Sequence, residues 1–217
     1  MSDSTMDVVI VGGGLAGIAT AYYLGKQGVR STVIERDAVG SHASGFAYGG
    51  LGALDGVGVH GPTQAIATAS MRLHLGLAVS LPEETGINTE FRERPGMALC
   101  YTDDEVRTAK VNLALREKQP EYECRWLDRD ELLTMEPRIS PKAIGAAYAE
   151  GTVDLEPYRF ILAMAQAAEG LGTTIRHGTV TGIKRQGDRV TGVLLGDEEI
   201  TCDAVVIAMG PWSGLTS

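Results

Sequence analysis

The sequence predicts an α/β fold in which a parallel sheet carries a β-meander and is interrupted by part of an α+β unit. Three observations predict it. A β-branched run near the N-terminus passes through clustered glycines directly into a helical pattern. A second fully apolar run lies close to the C-terminal end. The segment between them changes to short strands and proline-bounded helices.

Val8-Val9-Ile10-Val11 has the continuous apolar character of a strand buried on both faces of a parallel sheet. Leu15 to Gln27 carries Leu15, Ile18, Ala19, Tyr22 and Tyr23 at helical spacing, and Gly28 is placed to end it. Ser31-Thr32-Val33-Ile34 is the next strand, so the start of the chain reads as a βαβ unit with a right-handed crossover. From Gly40 to Gly61 glycine recurs too often for a regular element. The interspersed Phe46, Tyr48, Leu51 and Leu54 make it a packed loop rather than a flexible linker.

Pro62 and the run from Thr63 to Leu81 predict a helix closed by Pro82. Phe91 to Tyr101 has strand-like stretches around Pro95-Gly96. Thr102-Asp103-Asp104-Glu105 is a capping box that opens a helix to about Lys118, and Asp128-Arg129-Asp130-Glu131 repeats the signal for a short helix ended by Pro137. Pro157 opens a helix over Tyr158 to Leu171, ended by Gly172. Thr174 to Met209 then reads as a β-meander with turns at Gln186-Gly187-Asp188 and Gly196-Asp197; its last strand, Ala204 to Ala208, is apolar enough to rejoin the parallel sheet.

Composition narrows the function. A length of 217 residues gives one domain or two closely joined ones. The net charge of -9 repels a phosphate polymer, which makes nucleic acid an unsuitable partner. Three cysteines, Cys100, Cys124 and Cys202, fit a reducing compartment and neither a disulfide framework nor a zinc ribbon. No apolar run reaches the roughly 18 residues of a transmembrane helix, and the N-terminus has no basic signal-peptide region. The expectation is a soluble cytoplasmic protein. His42, His60, His74 and His177 have no metal-ligand spacing, so no metal is expected. Neither a G-x-S-x-G elbow nor a P-loop is present, which sets aside hydrolase and P-loop readings.

The glycines carry the chemistry. Gly12-Gly13-Gly14-Leu15-Ala16-Gly17 fits G-x-G-x-x-G and lies where that fingerprint acts, between a strand and a helix. Gly12 allows a tight turn, Gly14 lets a pyrophosphate approach the main chain, and Gly17 lets the helix pack on the strand. Leu15 and Ala16 open the helix, whose N-H groups and dipole favour phosphate. Glu35, at the tip of the second strand, is placed to accept ribose hydroxyls and to repel a 2'-phosphate. The fold class is therefore Rossmann-like, and the fingerprint alone leaves NAD and FAD both open.

Further along, the chain carries His42-Ala43-Ser44-Gly45-Phe46-Ala47-Tyr48-Gly49-Gly50-Leu51-Gly52-Ala53, Glu136-Pro137, Gly151-Thr152-Val153-Asp154, Gly178-Thr179-Val180 and Ala208-Met209-Gly210-Pro211-Trp212-Ser213-Gly214. With the fingerprint, and in this order, these segments resemble the D-amino acid oxidase superfamily of FAD-dependent oxidoreductases, in particular its glycine oxidase and sarcosine oxidase-like members. The resemblance implies that Glu35 and Arg36 meet the adenosine ribose and that Ala43 and Ser44 line the pyrophosphate and flavin side. It places Tyr48, Gly49 and Gly50 beneath the isoalloxazine, Val180 at adenine, and Ala208, Gly210 and Trp212 over the cofactor.

The implied organisation is a first part of the FAD-binding domain over 1–85, a partial substrate domain over 86–148, and a second part of the FAD-binding domain over 149–217. The implied activity is oxidation of a small amino acid or secondary amine by hydride transfer to flavin N5, with oxygen or a quinone as acceptor. Arg92, Arg94, Tyr101 and Tyr148 read better as solvated sheet ends than as substrate ligands. The stretch that supplies the relatives' carboxylate-binding arginine and active-site tyrosine does not occur here, so no catalytic residue is assigned. An N-terminal portion of a longer protein is expected. Two other readings stand beside it: a non-catalytic FAD-binding fragment or subunit completed by a partner or by oligomerisation, and an NAD-dependent dehydrogenase.

Overall fold

The computed structural model describes residues 7–52, 62, 64–116 and 123–215. Strand β1 (Asp7–Val11) runs into helix α1 (Leu15–Lys26) and strand β2 (Arg30–Glu35). Then come β3 (Gly50–Gly52), α2 (Gln64–Thr85), β4 (Arg92–Glu93), β5 (Gly96–Cys100) and α3 (Asp103–Arg116). The chain continues through β6 (Cys124–Asp128), α4 (Arg129–Met135), β7 (Gly145–Ala149), β8 (Thr152–Asp154) and α5 (Pro157–Gly170). It closes with β9 (Thr174–His177), β10 (Gly182–Gln186), β11 (Arg189–Leu195), β12 (Glu198–Thr201), β13 (Ala204–Ile207) and a 3-10 turn over Gly210–Leu215.

Two compact units result. The first comprises 1–48, 79–89 and 156–217, and the second 49–78 and 90–155. This differs from the division at 85 and 148 expected from sequence. Residues 49–78 join the second unit because β3 pairs with β8, Gly50 opposite Asp154, and a strand pairing between residues so far apart leaves no trace in local pattern.

In the first unit a four-stranded parallel sheet has the order β13-β1-β2-β9. Val8 to Val11 pair with Ala204 to Ile207 on one side and with Ser31 to Ile34 on the other, so β1 is central, as its unbroken apolar run requires. One face packs Val9, Val11 and Ile34 against Val193 of the antiparallel meander β10-β11-β12. On the other side, α1 lies against α5, and Ile18, Ile161 and Met164 are almost wholly buried. Each such side chain contributes about 1.5–3 kcal/mol by leaving water.

In the second unit β5-β7-β6 is antiparallel, with Leu127, Leu132, Ala143 and Ala146 at its core, and β3-β8-β4 forms a second small sheet. Both capping boxes close there. Glu105 Oε2 accepts from Thr102 N-H at 2.9 Å while Glu105 N-H donates to Thr102 Oγ1 at 3.3 Å, and Asp128 with Glu131 repeats the exchange. Arg94 Nε donates to Asp154 at 3.2 Å, and Arg125 lies over the Tyr148 ring, so both cations have structural partners.

Several expectations need correction. β9 belongs to the parallel sheet, pairing Thr32 with Thr174, and is not the first strand of the meander; alternation alone does not distinguish a parallel edge from a hairpin. The glycine-rich segment contains a strand, β3, because its backbone groups find β8; residues 53–61 of that segment lie outside the described residues. Helix α2 continues through Pro82 to Thr85. Proline removes one N-H, yet Leu77 and Leu81 on the same face are buried and hold the turn. The helix stops where Gly86, at φ 74°, donates to Pro82 C=O at 2.8 Å. The expected end of α3 at Lys118 also lies outside the described residues.

Candidate functional site

The turn after β1 shows why its glycines are required. Gly12 sits at φ 112° and donates to Ile34 C=O at 2.8 Å, and a β-carbon there would come within 2.5 Å of the Ala208 carbonyl oxygen. A β-carbon on Gly17 would overlap the Gly12 carbonyl, so this residue lets α1 close on the loop. Gly14 differs. It is the N-cap of α1 at φ -77° and ψ -179°, which any residue adopts, and among the described residues the atom near its added β-carbon is Ser44 Oγ at 3.2 Å.

The surrounding polar groups are fixed by main chain. Glu35, at the end of β2, accepts from Gly13 N-H at 2.6 Å through Oε2 and from Asp37 N-H at 2.8 Å through Oε1. Ser44 Oγ accepts from Leu15 N-H at 3.1 Å, which leaves its own hydrogen free to donate. The N-cap Gly14 has no side chain to cap α1 and no acidic residue lies in its first turn, so Ser44, from the loop after β2, supplies the oxygen that meets its first N-H.

These groups surround a cavity of about 280 Å³ in the first unit, outside the carboxyl ends of β1, β2 and β13. Open parallel sheets bind ligands there. Gly12, Gly14, Leu15 and Ala16 form its floor, and Glu35 and Arg36 one side. Ala43 and Ser44 line it from the loop after β2, Val180 from the turn before β10, and Ala208, Gly210 and Trp212 from the segment after β13. Its volume is close to the lower bound of roughly 300–1000 Å³ for small-molecule sites.

Four sequence-predicted residues are not on this wall. Gly17 is buried in the packing of α1. Tyr48, 90% exposed, ends the first segment of the first unit, while Gly49 and Gly50 belong to the second. The cavity also takes in His42, Gly178, Thr179, Met209, Pro211 and Leu215. All lie inside or beside segments that the sequence marks, Leu215 directly after the last of them.

Asp37 is a further unpredicted member of this region. Its carboxyl is held below the usual carboxylate range, first by His42 Nε2 at 2.7 Å from Oδ2 and then by Arg36 Nε, which donates to the same oxygen at 3.1 Å. Among the described residues no cluster of three or more His, Cys, Asp or Glu could hold a metal, and no helix is long and apolar enough to cross a membrane.

The residues present fit a dinucleotide. Gly14 leaves open the space that a side chain would fill, the N-terminus of α1 faces the same floor, and a fixed carboxylate stands where a ribose would lie. The fold and site thus define an α/β protein of the dinucleotide-binding class. Residues 7–217 match the DAO family, FAD dependent oxidoreductase, and the chain belongs to it. That membership decides between the two cofactors left open by the fingerprint: the family uses FAD, and the NAD-dependent reading is withdrawn.

The chain is 29% identical over 210 residues to the glycine oxidase of Bacillus subtilis, covering 96% of this chain and 55% of that protein. It is 29% identical over 245 residues to the hydrogen cyanide synthase subunit HcnC of Pseudomonas aeruginosa, covering 96% and 58%. The crystal structure of glycine oxidase from Bacillus cereus superposes with a TM-score of 0.87 at 29% identity, covering 97% of this chain and 57% of that one. The chain therefore spans about half the length of the relatives it matches.

Proposed function

We propose that the protein oxidises the amine of a small amino acid or a secondary amine of glycine, D-amino acid or sarcosine type. The observation that carries the reading is the glycine-floored cavity with the braced Glu35 on its side, in a chain of an FAD-dependent oxidoreductase family. FAD, when bound, would supply the redox chemistry, accepting a hydride from the substrate and passing the two electrons to oxygen or a quinone.

The chain's own residues bind and orient. The N-H groups at the start of α1, reached over Gly12 and Gly14 and flanked by Leu15 and Ala16, take the diphosphate, with Ser44 donating to it and Ala43 beside it. Glu35 accepts the ribose hydroxyls and Arg36 lies beside them; Val180 meets adenine. Ala208, Gly210 and Trp212 cover the cofactor, and Tyr48, Gly49 and Gly50 run beneath the flavin ring. Water released from this wall is replaced by fixed dipoles, and the imine product hydrolyses to an oxo acid and ammonia or an amine. A cytoplasmic location is part of the proposal, supported by Cys100, Cys124 and Cys202, all free thiols.

A second reading is a non-catalytic FAD-binding subunit that a partner completes. It is favoured by β13, which lies at the end of its sheet with Ile207 42% exposed. The two readings separate in one anaerobic experiment: glycine, sarcosine or D-alanine added to the FAD-loaded protein is expected to bleach the visible flavin band. No bleaching with any amine, while dithionite still bleaches it, overturns the oxidase reading. A companion variant, Glu35→Gln, tests the ribose assignment. It is expected to keep its fold and weaken FAD about tenfold in a fluorescence titration, because one amide cannot accept both N-H groups and two hydroxyls.

A further inference from the structure

The acid at the end of β2 has a neighbour with a task of its own. We infer that Asp37 is a positioning residue for the nucleotide cavity, holding Arg36 and His42 against the indole of Trp212 and so tying the turn after β2 to the 3-10 turn after β13. The inference rests on the cofactor reading above and adds to it a residue that does not touch the cavity.

Asp37 Oδ2 is shared: Arg36 Nε donates to it at 3.1 Å and His42 Nε2 lies 2.7 Å away. Both partners also reach one ring. Arg36 Cζ is 5.3 Å from the Trp212 ring centroid, and the His42 ring centroid is 5.0 Å away with the planes at 58°. Arg36, His42 and Trp212 all line the cavity, and Asp37 does not. The main-chain N-H of Trp212 donates to Met209 C=O at 3.1 Å, within the turn that follows β13.

Arg36, Asp37 and His42 are all close to half exposed, so each contact alone is weak against water. A shared acceptor changes that, because releasing either partner also loosens the other's approach to the indole. The same residue works through its main chain as well, since its N-H braces Glu35 Oε1 at 2.8 Å. One residue thereby fixes the carboxylate on one wall of the cavity and the aromatic group on another.

The test uses Trp126→Phe, which leaves Trp212 as the sole tryptophan of the two in the chain. In that background, without cofactor, Asp37→Asn is expected to shift the Trp212 emission to longer wavelength and raise its quenching by acrylamide. The same change is expected to weaken FAD about tenfold. Asp37→Glu, which keeps the charge, is expected to restore both measurements toward the starting values. Unchanged emission and quenching in Asp37→Asn overturns the inference, and so does a changed emission with unaltered FAD affinity.

Should Asp37→Asn not fold, the double variant Arg36→Gln/His42→Gln is expected to give the same red shift; an unshifted spectrum overturns the inference equally. Failure of the Trp126→Phe chain to bind FAD counts against the cofactor reading instead. In that case the emission measurement decides the clamp by itself.

Discussion

Gly14→Val is expected to leave the chain folded and to strip it of FAD, so that protein purified with excess cofactor is colourless where the unaltered chain is yellow. The backbone at Gly14 is extended and tolerates a side chain, and among the described residues no atom but Ser44 Oγ stands near the added β-carbon. The valine therefore costs little in the folded protein. Its methyl groups occupy the cavity floor where a diphosphate meets the start of α1. A loss of at least 100-fold in affinity is expected, about 2.7 kcal/mol. Circular dichroism matching the unaltered chain, together with lost pigment, supports a diphosphate site at Gly14; retained pigment contradicts it.

Gly17→Ala is expected to do the opposite, destabilising the fold itself. In a helix, alanine for glycine ordinarily stabilises by up to about 1 kcal/mol. Here the added methyl overlaps the Gly12 carbonyl and approaches Ala208 Cβ to 3.3 Å, both in a turn that cannot yield without moving β1 or β13. Overpacking costs about 1–3 kcal/mol and exceeds the propensity gain, so the urea midpoint is expected to fall. Gly76→Ala in α2 is the control, because no described residue lies within 4 Å of its added β-carbon. Its midpoint is expected to rise or stay level, and a rise in both variants would refute the packing role of Gly17.

Gly14 and Gly17 lie three residues apart in one motif, and their tasks differ because of what lies beyond the chain's local neighbourhood. That also explains how far the sequence was legible. The β1-α1-β2 unit could be read because β-branched runs, a glycine turn and a terminating glycine are local signals. The boundary of α1 fell one residue from its expected place. Most of the cavity wall followed from the same signals and from the segments that resemble one flavoprotein superfamily.

What escaped depends on distant partners. Gly145-Ala146-Ala147-Tyr148-Ala149 has little strand preference, yet it forms β7 because β5 and β6 flank it and because Gly145 lets the Trp126 ring approach. β3 forms in glycine because β8 supplies its hydrogen bonds. The helix through Pro82 depends on the burial of Leu81. Asp37 reads as an ordinary surface acid after Glu35-Arg36, and acquires its role only when Trp212, from the other end of the chain, comes to lie under Arg36 and His42.

The cavity beside Gly14 and Glu35 is assigned to the adenosine diphosphate half of FAD. Displacement of bound FAD by ADP, followed through the recovery of flavin fluorescence, tests it most directly. Complete, saturable displacement by ADP from the unaltered chain is the predicted result. FAD that remains bound at saturating ADP, or that ADP displaces equally well from Gly14→Val, would contradict it.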